Sequence, residues 1–269
     1  MYMLDNRNSG HIVLIGGAED KKGEKAILRQ TLQINRAKNV AIIPTASSYP
    51  EELVANYRAA FHELGANQIF AVDIRRRQEA SDGRYEKIID QADLIFFTGG
   101  DQEKLVDTLA GTSLLKLIID QHQQGTTIAG TSAGAAALGN PMILEGNGNR
   151  GFQKKQVISQ PGFGCLNGIV IDTHFLERCR IPRLSQILSA GNASIGLGLS
   201  EDTGAIISPS GQFEVIGSRV VTVLDNTKMN YTNYERIGAN EQVVVDGLRL
   251  SFLSKGLQYD IHQKKILLN

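Results

Sequence analysis

The chain has 269 residues, 42% of them apolar, enough to bury a substantial core without help from disulfides or metals. Its 28 Lys and Arg balance 28 Asp and Glu, which argues against a nucleic-acid binder that works by displacing counterions. The two cysteines, Cys165 and Cys179, exclude a disulfide scaffold or a Cys-rich zinc module. Residues 1–10 lack the apolar core of a secretory signal, and no run approaches the roughly 20 apolar residues a membrane span needs. A single cytoplasmic domain over 1–269 is expected, with small-molecule or peptide chemistry.

Residues 11–15 read as a buried strand closed by Gly16-Gly17, and 24–34 carry helical spacing. Residues 39–43 form a second strand stopped by Pro44; 51–64 are amphipathic, with Leu53, Val54, Tyr57, Phe61 and Leu64 apolar. Strand-like runs at 68–72 and 93–98 precede helices at 102–109 and 114–121. A strand at 126–129 runs into a Gly-rich turn and a small-residue helix at 133–138. Residues 139–161 read as a long, mobile insertion. Strands at 168–172 and 195–199 flank a helix at 182–188, which Pro182 opens. Beyond residue 200, short strands at 204–207, 213–216, 220–224, 242–245, 248–252 and 257–261 predict hairpins packed beside the main sheet.

Alternating strands and helices predict an α/β fold, a parallel sheet covered on both faces, with ligands bound at the carboxyl ends of the strands. Those ends hold Gly16-Gly17, Thr45-Ala46-Ser47, Gly99-Gly100-Asp101 and Gly130-Thr131-Ser132.

Gly130-Thr131-Ser132-Ala133-Gly134 fits G-x-S-x-G, the pattern of a nucleophile elbow. Such a turn lifts a serine hydroxyl above the sheet and aims the next backbone N–H at the reacting carbonyl. Of the five histidines, His11, His62 and His122 fall in structural patterns, the last two on surface helices, and His262 lies in the final strand. His174 directly follows the strand at 168–172 and is the candidate base, expected at the same sheet end as Ser132. Glu201 and Asp202 both end the strand at 195–199, and spacing does not choose between them as the acid that orients the imidazole. A rival Ser132, Asp202 and His262 set is disfavoured, because an α/β-hydrolase would need further βα units after the acid. Oxyanion donors are expected at Ala133 N–H and in Gly99-Gly100. Arg178, Arg180 and Arg183 suit a carboxylate-bearing ligand, with Gln102 as a candidate amide contact.

The segments Ile15-Gly16-Gly17-Ala18-Glu19-Asp20, Phe97-Thr98-Gly99-Gly100-Asp101-Gln102, Ala129 to Ala135, Asp172-Thr173-His174-Phe175 with the three arginines, Ser200-Glu201-Asp202-Thr203 and Met229 to Asn233 add up to a pattern. In it the chain resembles the cyanophycinase family, serine peptidases of the S51 type related to aspartyl dipeptidase. The resemblance implies a three-layer, flavodoxin-like fold similar to class I glutamine amidotransferases, carrying added C-terminal β-hairpins. It implies Ser132 as nucleophile, His174 as general base and Glu201 as orienting acid, beside the oxyanion donors Gly100 and Ala133 expected from the turns. Gln102, Asp172, Thr173, Arg178, Arg180 and Arg183 would line the substrate pocket; no metal or organic cofactor is called for. Members cleave cyanophycin, a poly-aspartate with arginine on each β-carboxyl, to β-Asp-Arg dipeptides, so that polymer or a β-aspartyl peptide is the implied substrate. A homodimer is implied too. The family's best-known members carry Gln where this chain has Thr173. An aspartyl dipeptidase and a non-catalytic module on the same scaffold are the alternative readings. A glutamine amidotransferase is disfavoured by Ser in place of Cys at the elbow.

Overall fold

A computed structural model describes residues 8–146 and 152–268. Five short apolar strands, β1 (Ile12–Ile15), β2 (Asn39–Ile43), β3 (Gln68–Ala71), β4 (Leu94–Phe97) and β5 (Thr127–Thr131), pair in parallel in the order β1-β5-β4-β2-β3. Four of them are buried almost end to end, as a parallel sheet with two covered faces requires. On one face lie α1 (Ala26–Gln33) and α2 (Pro50–Glu63), whose Leu28, Tyr57 and Phe61 pack on Val13, Ile42 and Phe96. On the other lie α3 (Gly83–Asp90), α4 (Gln102–Leu109) and α5 (Ser113–Gln123), through Ile89, Leu105 and Ile118. The helix α3 was not anticipated from the sequence. His122, expected on a surface, is 1% exposed in α5, where its Nδ1–H donates to the Thr126 carbonyl at 3.1 Å.

The register Ile15↔Thr131, Phe97↔Gly130 and Ile43↔Phe97 aligns the carboxyl ends of the central strands. Gly16, Gly99 and Ser132 therefore emerge along one rim. From there α6 (Ala133–Leu138) turns back across β4 and β5, and its wholly buried run of Ala, Gly and Leu lets it sit close. A methyl group on Gly134 would lie 2.4 Å from the Phe97 carbonyl oxygen, so no larger residue fits there.

The segment expected as an open insertion is largely strand. It forms β6 (Gly139–Asn140) and a hairpin of β7 (Met142–Gly146) with β8 (Val157–Gln160), anchored by buried Met142, Ile143 and Val157. Residues 147–151 of that segment lie outside the described residues.

The strands β9 (Leu166–Asn167), β10 (Ile169–Asp172), β11 (Ile195–Leu199), β14 (Val220–Asp225) and β17 (Arg249–Ser254) join β6 in a second, six-stranded sheet, ordered β17-β14-β11-β10-β6-β9. This corrects the expectation that β10 belongs to the sheet of Ser132. The helix α6 lies between the two sheets, and α7 (Ile181–Ser189) covers the far face of the second one through Leu184, Ile187 and Leu188.

The C-terminal hairpins expected beside the parallel sheet are present: β12 (Thr203–Ile207), β13 (Gln212–Gly217), β18 (Gln258–Asp260) and β19 (Lys265–Leu267) extend it, antiparallel, outward from β1. The strand expected at 242–245 is displaced to β16 (Val245–Asp246). It pairs with β15 (Tyr231–Thr232), within the Met229–Asn233 segment, in a small separate ladder. Among the described residues no helix is long and apolar enough to cross a membrane.

Candidate active site

Ser132 sits between β5 and α6 at φ 51° and ψ −113°, a backbone conformation that L-residues rarely hold. Its N–H donates to Ile15 O at 2.9 Å, so the turn is tied to the neighbouring strand, and its hydroxyl stands above the rim. There it lies 3.0 Å from His174 Nε2.

His174 comes from the other sheet, one turn beyond β10. It too has positive φ, 47°, and it is held from both sides: its N–H donates to Gly16 O at 3.0 Å, and the next residue, Phe175, is fully buried. The imidazole rests on Gly17, which has φ 94°; a methyl group there would come within 2.5 Å of His174 Cε1. Gly17 is thus the seat of the ring, a role only glycine fills.

Glu201 lies in the Ser200–Asp202 turn that carries the chain from β11 in the second sheet to β12 in the first. Its Oε1 accepts from His174 Nδ1 at 2.7 Å. A carboxylate can only accept, so Nδ1 carries the proton, and in the neutral ring Nε2 is left with its lone pair toward Ser132. That hydrogen bond is the main reason the Glu201 carboxyl is held below its ordinary range. Asp202, the alternative acid, is engaged on the other side: its carboxylate accepts from Asp20 N at 3.3 Å and from Ser218 Oγ at 2.8 Å. His262 packs over Gly211, at the opposite rim from Ser132.

Beside the Ser132 hydroxyl is a cavity of about 100 Å³, lined by Gly100, Gln102, Asp172, Thr173 and His174. Arg178, Arg180 and Arg183 line it too. Asp172, 2% exposed, takes a bidentate pair from Arg183, with Nε at 2.6 Å from Oδ2 and Nη2 on Oδ1. Arg180 adds a third contact to Oδ1 at 3.2 Å and reaches the Thr173 carbonyl at 2.6 Å. Burial lowers the Arg180 guanidinium to about 10, which still leaves it cationic at neutral pH. Arg178 is exposed at the mouth. Gln102 lines the cavity, but its amide donates to Leu144 O at 2.8 Å and Ile143 O at 3.3 Å, so those donors fasten the β7 strand rather than facing the cavity.

Ala133 N–H opens α6, where helix geometry provides it no intrahelical acceptor, and Gly100 N–H sits in the turn after β4. Both belong to residues bordering Ser132 across the rim. Among the described residues, no group of three or more His, Cys, Asp or Glu side chains could hold a metal ion.

One member of this neighbourhood escaped the reading of the sequence. Glu19, in the turn after β1, is 3% exposed; its carboxylate accepts from Thr131 Oγ1 at 2.7 Å and from the Tyr57 hydroxyl, with Lys21 Nζ at 3.2 Å. An acid in a Gly-rich turn reads as a solvated surface residue, and only its place in the Gly16 to Asp20 motif set it apart.

The Peptidase family S51 model matches residues 12–216, about three quarters of the chain. The cyanophycinase of Nostoc sp. (strain PCC 7120) is 34% identical over 259 residues, covering 95% of this chain and 87% of that protein. The cyanophycinase of Geminocystis herdmanii is 35% identical over 252 residues, 93% of each. Among solved structures, a peptidase from an acI-B1 Actinobacterium superimposes with a TM-score of 0.72 at 22% identity, over 96% of this chain and 99% of that one. A putative peptidase E from Listeria monocytogenes gives 0.53 at 19% identity, over 78% and 98%. These two neighbours speak for the α/β fold. The family match and the cyanophycinase relatives go further: the chain belongs to peptidase family S51, as a serine-type peptidase of the cyanophycinase kind.

Proposed function

We propose that the protein hydrolyses cyanophycin to β-Asp-Arg dipeptides through an acyl-enzyme, acting as an exopeptidase. One observation carries the reading: Ser132, His174 and Glu201 form an unbroken hydrogen-bonded chain on a strained turn, at 3.0 and 2.7 Å. Ser132 Oγ attacks the backbone carbonyl carbon while His174 Nε2 takes its proton. The N–H groups of Gly100 and Ala133 hold the oxyanion as it forms. The tetrahedral species collapses; the C–N bond breaks and His174 returns the proton to the leaving amine. Water, deprotonated by His174, then cleaves the Ser132 ester. Glu201 keeps Nδ1 protonated throughout and balances the imidazolium.

The substrate is supported by the cyanophycinase relatives and by three arginines against one carboxylate in the cavity. Arg180 and Arg183 are braced by Asp172, and Arg178 is exposed at the mouth, an arrangement that suits a ligand carboxylate. Gln102 and Thr173 complete that pocket. A homodimer, a cytoplasmic setting and a chain that acts as one domain belong to the same proposal.

Digestion of purified cyanophycin, with products identified by mass, tests the proposal. β-Asp-Arg should accumulate, and Ser132→Ala should lower kcat by about 10³-fold or more. Release only from short Asp-X dipeptides would replace cyanophycin with a dipeptidase substrate. Near-normal turnover by Ser132→Ala would end the mechanism.

A further inference from the structure

We infer that Glu19 is a positioning residue for the reaction: its buried carboxylate, through Thr131 and the Gly16-Gly17 turn, holds the Ser132 hydroxyl and the His174 ring in register. The inference rests on the roles proposed above for Ser132 and His174.

Glu19 joins three parts of the molecule. It belongs to the turn after β1, two residues beyond Gly17, on which the imidazole rests. Its Oε2 accepts from Thr131 Oγ1 at 2.7 Å, and Thr131 is the last residue of β5, directly before Ser132 and paired in register with Ile15. Its Oε1 accepts from Tyr57, a fully buried residue of α2 wedged against Phe96 at 4.8 Å between ring centroids. Burial and the neighbouring Glu19 push the Tyr57 hydroxyl well above its ordinary range, so it serves as a donor at any working pH. Lys21 closes the set at 3.2 Å and lies over the Tyr57 ring at 5.0 Å.

An apolar side chain could fill this space without the desolvation cost of a buried carboxylate. What a carboxylate adds is direction: two oxygens, each fixed by a donor from a different element, set the distance between the β1 turn and the elbow. That distance governs catalysis in the proposed mechanism. Ser132 holds φ 51° and is tied to Ile15 O, while His174 is tied to Gly16 O one residue further along the same segment. Nucleophile and base thus hang from neighbouring carbonyls, and Glu19 sits beneath both. No hydrogen bond runs from Glu19 to either side chain, which makes its effect one of alignment.

The test uses Thr131→Val, which removes the donor and keeps the strand's β-branched shape, together with Thr131→Ser, Glu19→Gln and Ser132→Ala. Folding is followed by thermal melts, and turnover and labelling of Ser132 by a serine-directed phosphonate are measured on each. Thr131→Val should melt within a few degrees of the parent, lose about 10- to 100-fold in kcat with KM within about threefold, and label proportionately more slowly. Thr131→Ser should recover most of the loss, because it restores the hydroxyl. Glu19→Gln should fall between the two, since its amide oxygen still accepts from Thr131. A folded Thr131→Val with parental kcat and labelling rate, beside an inactive Ser132→Ala, overturns this inference alone. Parental turnover by Ser132→Ala overturns the proposed mechanism and this inference with it.

Discussion

At the scale of single residues, the choice between Glu201 and Asp202 shows what spacing leaves open. Two adjacent acids at the end of one strand are equivalent in the sequence. In the structure Asp202 takes positive φ, 47°, and its carboxylate is occupied by Asp20 N and Ser218 Oγ, leaving Glu201 on His174. Replacing the carboxylate by an amide of the same shape should therefore be costly. Glu201→Gln offers Nδ1 an amide that either donates to it, favouring the wrong tautomer, or accepts without balancing the imidazolium. We expect kcat to fall by about 10²- to 10⁴-fold with the fold intact, measured as turnover beside a thermal melt. Loss of less than about threefold would remove Glu201 from the proposed mechanism. Gln102 shows the opposite limit: its place beside Gly99-Gly100 is evident from the sequence, yet its amide donors serve the β7 strand. Which groups a long side chain touches depends on a hairpin about 40 residues away, and no local pattern carries that.

At the scale of elements, the parallel strands were legible because each is a short apolar run bounded by turn residues, with a helix between. The membership of β10 was not. Ile169–Asp172 and Ile195–Leu199 are as apolar as β4 and β5, and both are buried on two faces, so composition cannot say which sheet they join. The division follows from long-range pairing: β1 takes β12 on its free edge, and β11 takes β14. The consequence for the site is direct. The proposed nucleophile stands on one sheet and the proposed base on another, and the Ser200–Asp202 turn that carries the acid is the strap between them. The hairpin of β7 and β8 was hidden for a different reason, since few apolar residues, Met142, Ile143 and Val157 among them, anchor strands otherwise open to water.

For the molecule as a whole, two histidines shielded from water tie stability to pH just below neutrality. His122 and His11 sit at the end of the sheet away from Ser132, and burial lowers both below the ordinary 6.5; His122 is lowered a little further by His11. A histidine with a depressed folded-state pKa is neutral when folded and gains its proton more readily when unfolded. The unfolded state then binds more protons, so this stability is present above about 6.5 and is lost as pH falls below it. The unfolding midpoint should drop between about pH 7.5 and pH 5.5, and the drop should be smaller in His122→Gln, which keeps a donor for the Thr126 carbonyl. Equal pH dependence in the variant and the parent would contradict this. The two sheets bring Ser132 into contact with His174, and in the proposed mechanism that contact makes the serine reactive. Mass mapping after treatment with a serine-directed phosphonate reads that reactivity out. A single modified peptide is expected, bearing the adduct on Ser132 and losing it in His174→Ala; an unmodified Ser132, or labelling indifferent to His174, would rule out the proposed pairing.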